Sequence, residues 1–256
     1  MALFTKILDF LFPRYCLHCR TELDLDFLLC KKCFGSIPLI KSYFCGGCTL
    51  PITTHREPCR SPCSTPLQPS CRPPCHPQNP LLLYAATDYH RPPIGALVHA
   101  LKFDCMPQAA DTLGAIICKY LENMRASSHA GFSTDFNDPL LVPIPLHHAR
   151  MRERGFNQAE LIAKYVAKTM GWEMACVLYR KTNTSPQSSL GRSERLKNLC
   201  GCFSVLDGAA QKNNMCGRNI ILIDDVSTTG ATFREAANAV LALYPASVTA
   251  LAAAKA

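Results

Sequence analysis

Residues 219–233 read Asn219-Ile-Ile-Leu-Ile-Asp-Asp-Val-Ser-Thr-Thr-Gly-Ala-Thr-Phe233. The apolar run Ile220 to Ile223 has the character of a parallel strand buried on both faces. Two carboxylates, Asp224 and Asp225, stand at its C-terminal end. A loop of small hydroxyl residues and glycine follows, from Ser227 to Thr232. Phe233, Ala236, Ala237, Val240, Leu241 and Tyr244 then recur at the spacing of one helix face. Strand, loop and helix in this order make an anion site. The first N–H groups of a helix lack intrahelical partners and its dipole favours negative charge there. Gly230 lets the backbone turn and come close to a ligand, and the threonine hydroxyls add donors.

The acidic pair narrows the ligand. A bare phosphate gains nothing from two adjacent carboxylates, whereas a sugar phosphate does. Carboxylates accept hydrogen bonds from vicinal hydroxyls while the loop holds the phosphate. The run resembles the 5-phosphoribosyl 1-pyrophosphate (PRPP) motif of type I phosphoribosyltransferases. That resemblance implies Asp224 and Asp225 on the ribose hydroxyls, and Ser227, Thr228, Thr229, Gly230, Ala231 and Thr232 around the 5-phosphate. No Gly-Lys-Ser/Thr follows, so this is not a Walker loop.

The 256 residues suffice for one large domain or two smaller ones. Formal net charge is +8 with histidine neutral, which favours a polyanionic partner. No apolar run reaches bilayer-spanning length. Residues 1–12 are apolar but broken by Lys6 and Asp9, with no small-residue cleavage site after them, and read as an amphipathic segment. These features place the chain in the cytoplasm. There, sixteen cysteines argue for metal binding and against a disulfide scaffold.

Most cysteines precede residue 90. Cys16-x2-Cys19 and Cys30-x2-Cys33 are two knuckles able to close one tetrahedral zinc site, with Tyr15, Phe27 and Phe34 as its small core. Cys45-Gly-Gly-Cys48 is a third knuckle. Cys59/Cys63 and Cys71/Cys75 both follow it, in a Pro- and Ser-rich stretch, and either pair can complete a second site. The boundary falls at residues 1–80 for the Cys-rich region and 81–256 for an α/β body.

In that body Leu82 to Thr87 is a strand, Ile94 to Leu101 a helix leading to Lys102, and Leu113 to Leu121 a second helix. A surface loop spans 126–138, and Leu140 to Ile144 is a further strand. Next comes a basic loop with Arg150, Arg152 and Arg154 at alternate positions, suited to clamping a pyrophosphate bidentately. Asn157 caps the following helix with Glu160 at N3, as in a capping box, and Leu161, Ile162, Tyr165 and Val166 form its buried face. The polar stretch 180–198, with Arg180, Lys181 and Arg195, reads as a flap able to close over a bound phosphate. No Ser-His-Asp, Cys-His or zinc-protease arrangement is present.

Together these pieces resemble the ComF family of competence-related, phosphoribosyltransferase-like proteins. Five motifs carry the resemblance: the knuckles from Cys16 to Cys48; Asp88-Tyr89 with Leu101-Lys102-Phe103; Val142-Pro-Ile-Pro-Leu146; Arg154-Gly-Phe-Asn-Gln158; and Ile223 to Thr232. Arg180, Thr184, Gln187, Arg195, Asn198 and Phe203 fit the same pattern. The resemblance implies a type I phosphoribosyltransferase-like parallel sheet flanked by helices, behind an N-terminal Cys-rich zinc ribbon. It also implies PRPP or a ribose phosphate as ligand with Mg²⁺, and a role with single-stranded DNA and the DNA-uptake machinery. The spacing of the family's last cysteine pair favours Cys71 and Cys75 as partners of Cys45 and Cys48. The chain departs from the family pattern in the extra Cys59/Cys63 pair, the x3 spacing of Cys71/Cys75 and the proline-rich insert. Such folds serve both catalysts and regulators that bind PRPP without consuming it. The alternative function is therefore an active phosphoribosyltransferase on a nucleobase or amine acceptor, and no residue is assigned as a catalyst. Tyr15, Tyr43 and Phe44 could serve as stacking platforms for DNA bases, although packing inside the ribbon is the favoured reading of each.

Overall fold

The computed structural model describes residues 14–23, 27–46, 49, 51–52, 81–126, 136–182, 201–209 and 213–256. Cys48, Cys59, Cys63, Cys71, Cys75 and Arg195 lie outside them.

The described elements run α1 (Lys31–Gly35), β1 (Tyr43–Cys45), β2 (Pro51–Ile52), β3 (Leu82–Asp88), α2 (Ile94–Lys102), α3 (Gln108–Ala126), β4 (Leu140–Pro143), α4 (His148–Arg154), α5 (Gln158–Met170), β5 (Glu173–Met174), β6 (Leu178–Arg180), β7 (Phe203–Val205), β8 (Asn219–Ser227), α6 (Ala231–Leu241) and β9 (Ser247–Lys255). Seven strands form one sheet in the order β2-β1-β3-β9-β8-β4-β5. The five from β3 to β5 pair in parallel, and β1 and β2 add an antiparallel edge. A separate antiparallel pair, β6 and β7, brackets the polar stretch read as a flap, most of which lies outside the described residues.

The central strands are apolar on both sides because both faces are covered. Along β8, Ile221 and Ile223 enter one core with α2, α3 and α5. Ile220 and Leu222 enter the other, with Phe233, Ala236, Ala237 and Val240 of α6. This two-faced burial is why the strand reads as a continuous apolar run. The predicted face of α6 stops early: the helix ends at Leu241. Leu241 and Tyr244 are exposed, Tyr244 in a left-handed conformation (φ 55°).

The Cys-rich region is built into the body. β1 pairs with β3, so the sheet crosses the compositional boundary at residue 80. Leu28 N–H donates to Thr112 Oγ1 (3.0 Å) on α3, and Lys119 Nζ donates to the Phe34 and Gly35 carbonyls (3.3 and 3.2 Å). Phe27 stacks with Phe34 at 6.4 Å and meets Tyr165 of α5 edge-on at 6.2 Å. Tyr15 is exposed rather than part of a ribbon core. Tyr43 is buried against Tyr84 at 5.5 Å and Phe44 is half-buried, so neither is an open platform for a base.

Two local expectations change. The basic stretch expected as a loop is a helix, α4, ended by Gly155 in the left-handed conformation (φ 78°). On α5, Asn157 does cap by accepting from Ala159 N–H (3.2 Å). Glu160, however, pairs with Lys164 one turn on at 2.6 Å, and that ion pair takes the carboxylate a capping box would use.

Candidate functional site

Parallel α/β sheets bind ligands beyond the carboxyl ends of their strands, where neighbouring strands send their connections to opposite sides. Here that point lies between β4 and β8. After β4 the chain runs through α5 to β5 at the sheet edge; after β8 it runs through α6 to β9 on the other side. β4 stays in register with β8 only as far as Pro143 opposite Ile223. Beyond that, β8 continues alone on this flank, and its acids satisfy the freed backbone. Asp225 N–H donates to Asp224 Oδ1 and Val226 N–H to Asp225 Oδ1, both at 2.8 Å.

The two carboxylates differ. Asp225 is buried at 5 % exposure, and its Oδ2 pairs with Lys102 Nζ at 2.8 Å from the end of α2. No hydrogen bond of good angle accompanies that contact, so we treat it as an ion pair. Asp224 makes no such ion pair among the described residues. Burial first, and then the Asp225 charge, push its carboxyl up to about 8, only partly countered by Lys102. A carboxyl held in this way keeps its proton near neutral pH and ionises when a cation arrives beside it.

The loop after β8 is held from below. Lys255 Nζ donates to the Thr228 carbonyl at 2.7 Å, and Ala256 N–H to the Ser227 carbonyl at 2.9 Å. Gly230 turns the chain into α6 at φ 68° and, as N-cap, has no side chain to cap the helix; Ala231 N–H makes a long bond to Thr229 Oγ1 (3.4 Å), one that a ligand could replace. Gly230 is also crowded. A Cβ there would lie 3.1 Å from the Gly46 carbonyl oxygen and 3.3 Å from a Thr49 methyl. Thr49, a β-branched residue at φ 61° with its N–H on the Cys45 carbonyl (2.7 Å), is itself strained. Gly46 and Thr49 thus rest on the loop after β8. Ser227 Oγ is buried with no hydrogen-bond partner among the described residues; it is a donor or acceptor in waiting at the loop entrance.

Helix α4 sorts the arginines. Arg150 and Arg154, four apart, share one half-buried side, while Arg152 is exposed. Arg154 is partly desolvated and opposed by Arg150, and Asp225, Glu153 and Asp224 support its charge. Arg180, half-buried at the end of β6, senses both Arg150 and Asp224 and lies over Phe203 at 5.5 Å. Lys181 is exposed over Tyr179. Arg154 and Arg180 are therefore within electrostatic reach of the acids, with Arg150 beside both and Arg152 and Lys181 exposed. Reasoning from sequence missed His147, which caps α4 by accepting from Ala149 N–H (3.3 Å). Burial, then His148 and the arginines, hold His147 below its usual range. It also missed Lys255 and Thr49. The only advance signals were the proline-bounded strand before His147 and the Gly-Gly within the third knuckle.

In the ribbon, the sulfurs of Cys16, Cys19, Cys30 and Cys33 lie within 4.8 Å of one another, with Cys19 and Cys30 Sγ 3.6 Å apart. Tetrahedral zinc with bonds of about 2.3 Å sets sulfurs at such separations. The thiols are also split electrostatically: hydrogen bonds from Thr21 lower Cys19 to about 6, and burial and its neighbours push Cys33 up to about 12. Four thiols packed so closely cannot all ionise without a cation among them. The set fits structural zinc.

A double zinc ribbon domain model matches residues 7–64. Over 232 residues the chain is 30% identical to the DNA utilization protein YhgH of Escherichia coli K12, covering 90% of this chain and 91% of that protein. It is 25% identical to competence protein F of Haemophilus influenzae over 224 residues (86% and 87% covered). It is 40% identical over 102 residues to competence protein ComFC of Bacillus subtilis (40% and 38% covered). Among solved structures, it is similar to hypoxanthine-guanine phosphoribosyltransferase from L. donovani, with 16% identity, TM-score 0.31, and 57% of this chain and 67% of that one covered. Hypoxanthine phosphoribosyltransferase from Trypanosoma cruzi matches with 9% identity, TM-score 0.33, and 59% and 78% covered. With 30% identity to YhgH over nearly its full length and a zinc ribbon ahead of the acid-and-loop strand, the chain belongs to the ComF family of competence and DNA utilization proteins.

Proposed function

We propose that this protein binds PRPP or a related ribose phosphate at the carboxyl end of β8 and serves the handling of incoming single-stranded DNA in the cytoplasm. The observation that carries the ligand reading is the pairing of Asp224 and Asp225 with a helix N-terminus reached through Gly230, whose first N–H is held only by a 3.4 Å bond to Thr229 Oγ1. Ribose hydroxyls donate to the acids, and the 5-phosphate takes the N–H groups of loop 228–232 with Ser227. Arg150, Arg154 and Arg180 receive the pyrophosphate. Asp224 and Asp225 are the groups that would lie beside a Mg²⁺ arriving with the ligand, which would supply charge neutralisation, and such a cation would favour the ionised form of Asp224 that burial now disfavours. No covalent nucleophile is required: positioning and charge stabilisation suffice if transfer occurs.

The DNA reading draws on the names of the competence relatives, on the net charge of +8 and on exposed Lys31 and Lys32 on the ribbon helix. A second zinc would sit on Cys45 and Cys48. The family pattern favours Cys71 and Cys75 as its other ligands, whereas the ribbon match ends at residue 64 and takes in Cys59 and Cys63 instead.

A fluorescence titration with labelled oligonucleotide tests the DNA role. Binding at low salt should weaken as salt rises, with a log–log slope of roughly −0.7 per phosphate neutralised. No binding at low salt removes DNA from the function. Pyrophosphate release from PRPP that needs both an acceptor and Asp224 would make the protein an active transferase.

A further inference from the structure

We infer that Phe103 is a stacking platform for a nucleobase at the rim of the acid site. Helix α2 ends at Lys102, whose ammonium reaches Asp225 at 2.8 Å. The next residue, Phe103, donates its N–H to the His99 carbonyl (2.8 Å) and turns its ring away from the core. It remains 65% exposed, among the most exposed of the large apolar residues described. The ring is nonetheless held in place: His99 lies at 5.0 Å with the planes tilted by 43°, and the Arg154 guanidinium lies over it at 5.7 Å.

A single exposed apolar side chain is ordinary on a protein surface. Phe103 differs in being tied twice to the same site. Its chain neighbour pairs with one of the acids, and the arginine over its ring is the one whose charge Asp224 and Asp225 support. Its surroundings are mainly cationic: Lys102, Arg154 and, beyond it, Arg150. Asp104 is the exception, and it is turned toward His99 Nδ1 at 3.3 Å. An open aromatic face framed by guanidinium and ammonium groups suits a partner with a π-face joined to phosphate. Base–aromatic stacking tolerates any sequence because every base has such a face, and the cations take the adjoining phosphates.

The chemistry is that of a nucleobase, supplied either by a DNA strand or by a free nucleotide. The strand source rests on the nucleic-acid reading above; the platform itself does not need PRPP. The test uses the full zinc-loaded chain carrying Phe103→Trp. The only native tryptophan, Trp172, is buried beneath Arg125 (5.4 Å) and serves as the wild-type background. Fluorescence of the variant should be quenched by oligo-dT and not by an abasic strand of equal length. Quenching by thymidine monophosphate alone at similar concentration would assign the free nucleotide as the source. Phe103→Ala should weaken oligonucleotide binding roughly tenfold or more, with Phe103→Tyr restoring it. A variant fluorescence unchanged by both oligonucleotide and nucleotide, or a Phe103→Ala protein that binds DNA as tightly as wild type, overturns the proposal. Calorimetry with PRPP on Phe103→Ala reports the sugar-phosphate reading separately, since PRPP carries no base.

Discussion

Asp224 and Gly230 bear the two strains that the site imposes on the fold. The Asp224 carboxyl titrates near 3.8 when unfolded and about 8 when folded. Below the lower value both states hold the proton and no cost arises. Between the two, the unfolded chain ionises while the folded one is held protonated, so stability falls as pH rises through that window and levels off above it. Asp224→Asn should remove this slope. Urea unfolding across pH 4 to 9 should show the variant gaining on wild type with rising pH, by on the order of 1 kcal/mol or more at pH 8, even as it loses the sugar phosphate. Parallel curves would mean Asp224 is solvated. At Gly230, alanine brings both a strained left-handed backbone and contact with the Gly46 carbonyl. Gly230→Ala should cost about 1 kcal/mol or more of stability and weaken inorganic phosphate binding by tenfold or more, read by calorimetry; unchanged affinity would free the loop from the third knuckle. The glycine and the acids were legible in the sequence because the motif is local. The weight of Gly46 and Thr49 on the loop was not, because it joins positions nearly two hundred residues apart.

At the scale of elements, a continuous apolar run located β8, and periodic apolar faces located α2, α3 and α5, because each carries its signal within its own span. It failed where a side chain is claimed from elsewhere. The Arg150–Arg154 run reads as a polar loop until α4 is formed, and only the helix shows that Arg150 and Arg154 act together while Arg152 points out. The sequence favours packing of Tyr43 within the ribbon, but nothing nearby in it reveals the actual neighbour, Tyr84 of β3. The ribbon is the element with its own stability test. Its knuckles dock on α3 through Thr112 and Lys119, so zinc loss should reach beyond the four cysteines. Chelation, or Cys16→Ser, should lower the thermal midpoint and raise amide exchange in α3 as well as in α1, since structural zinc binding is itself folding free energy. Exchange confined to residues 14–36 would mean the ribbon folds on its own and merely rests on the body.

For the whole molecule, the compositional boundary at residue 80 describes chemistry better than architecture. The cysteine-rich half supplies strands to the sheet, packs its core residues with those of α3 and lays Gly46 and Thr49 against the loop after β8. The four-cysteine cluster, that loop and the acid pair are therefore parts of one packed body. The family resemblance rests on motifs spread along the chain, and the sheet gathers them: Lys102, Arg154 and Asp225 come from three separate motifs and meet at the end of β8. Titrating PRPP with Mg²⁺ into the zinc-loaded protein in a calorimeter tests the account most directly. It predicts saturable heat from wild type that disappears when Asp224→Asn and Asp225→Asn are combined in a protein that still folds. A folded wild type that gives no heat, or a double variant that binds as well as wild type, would contradict it.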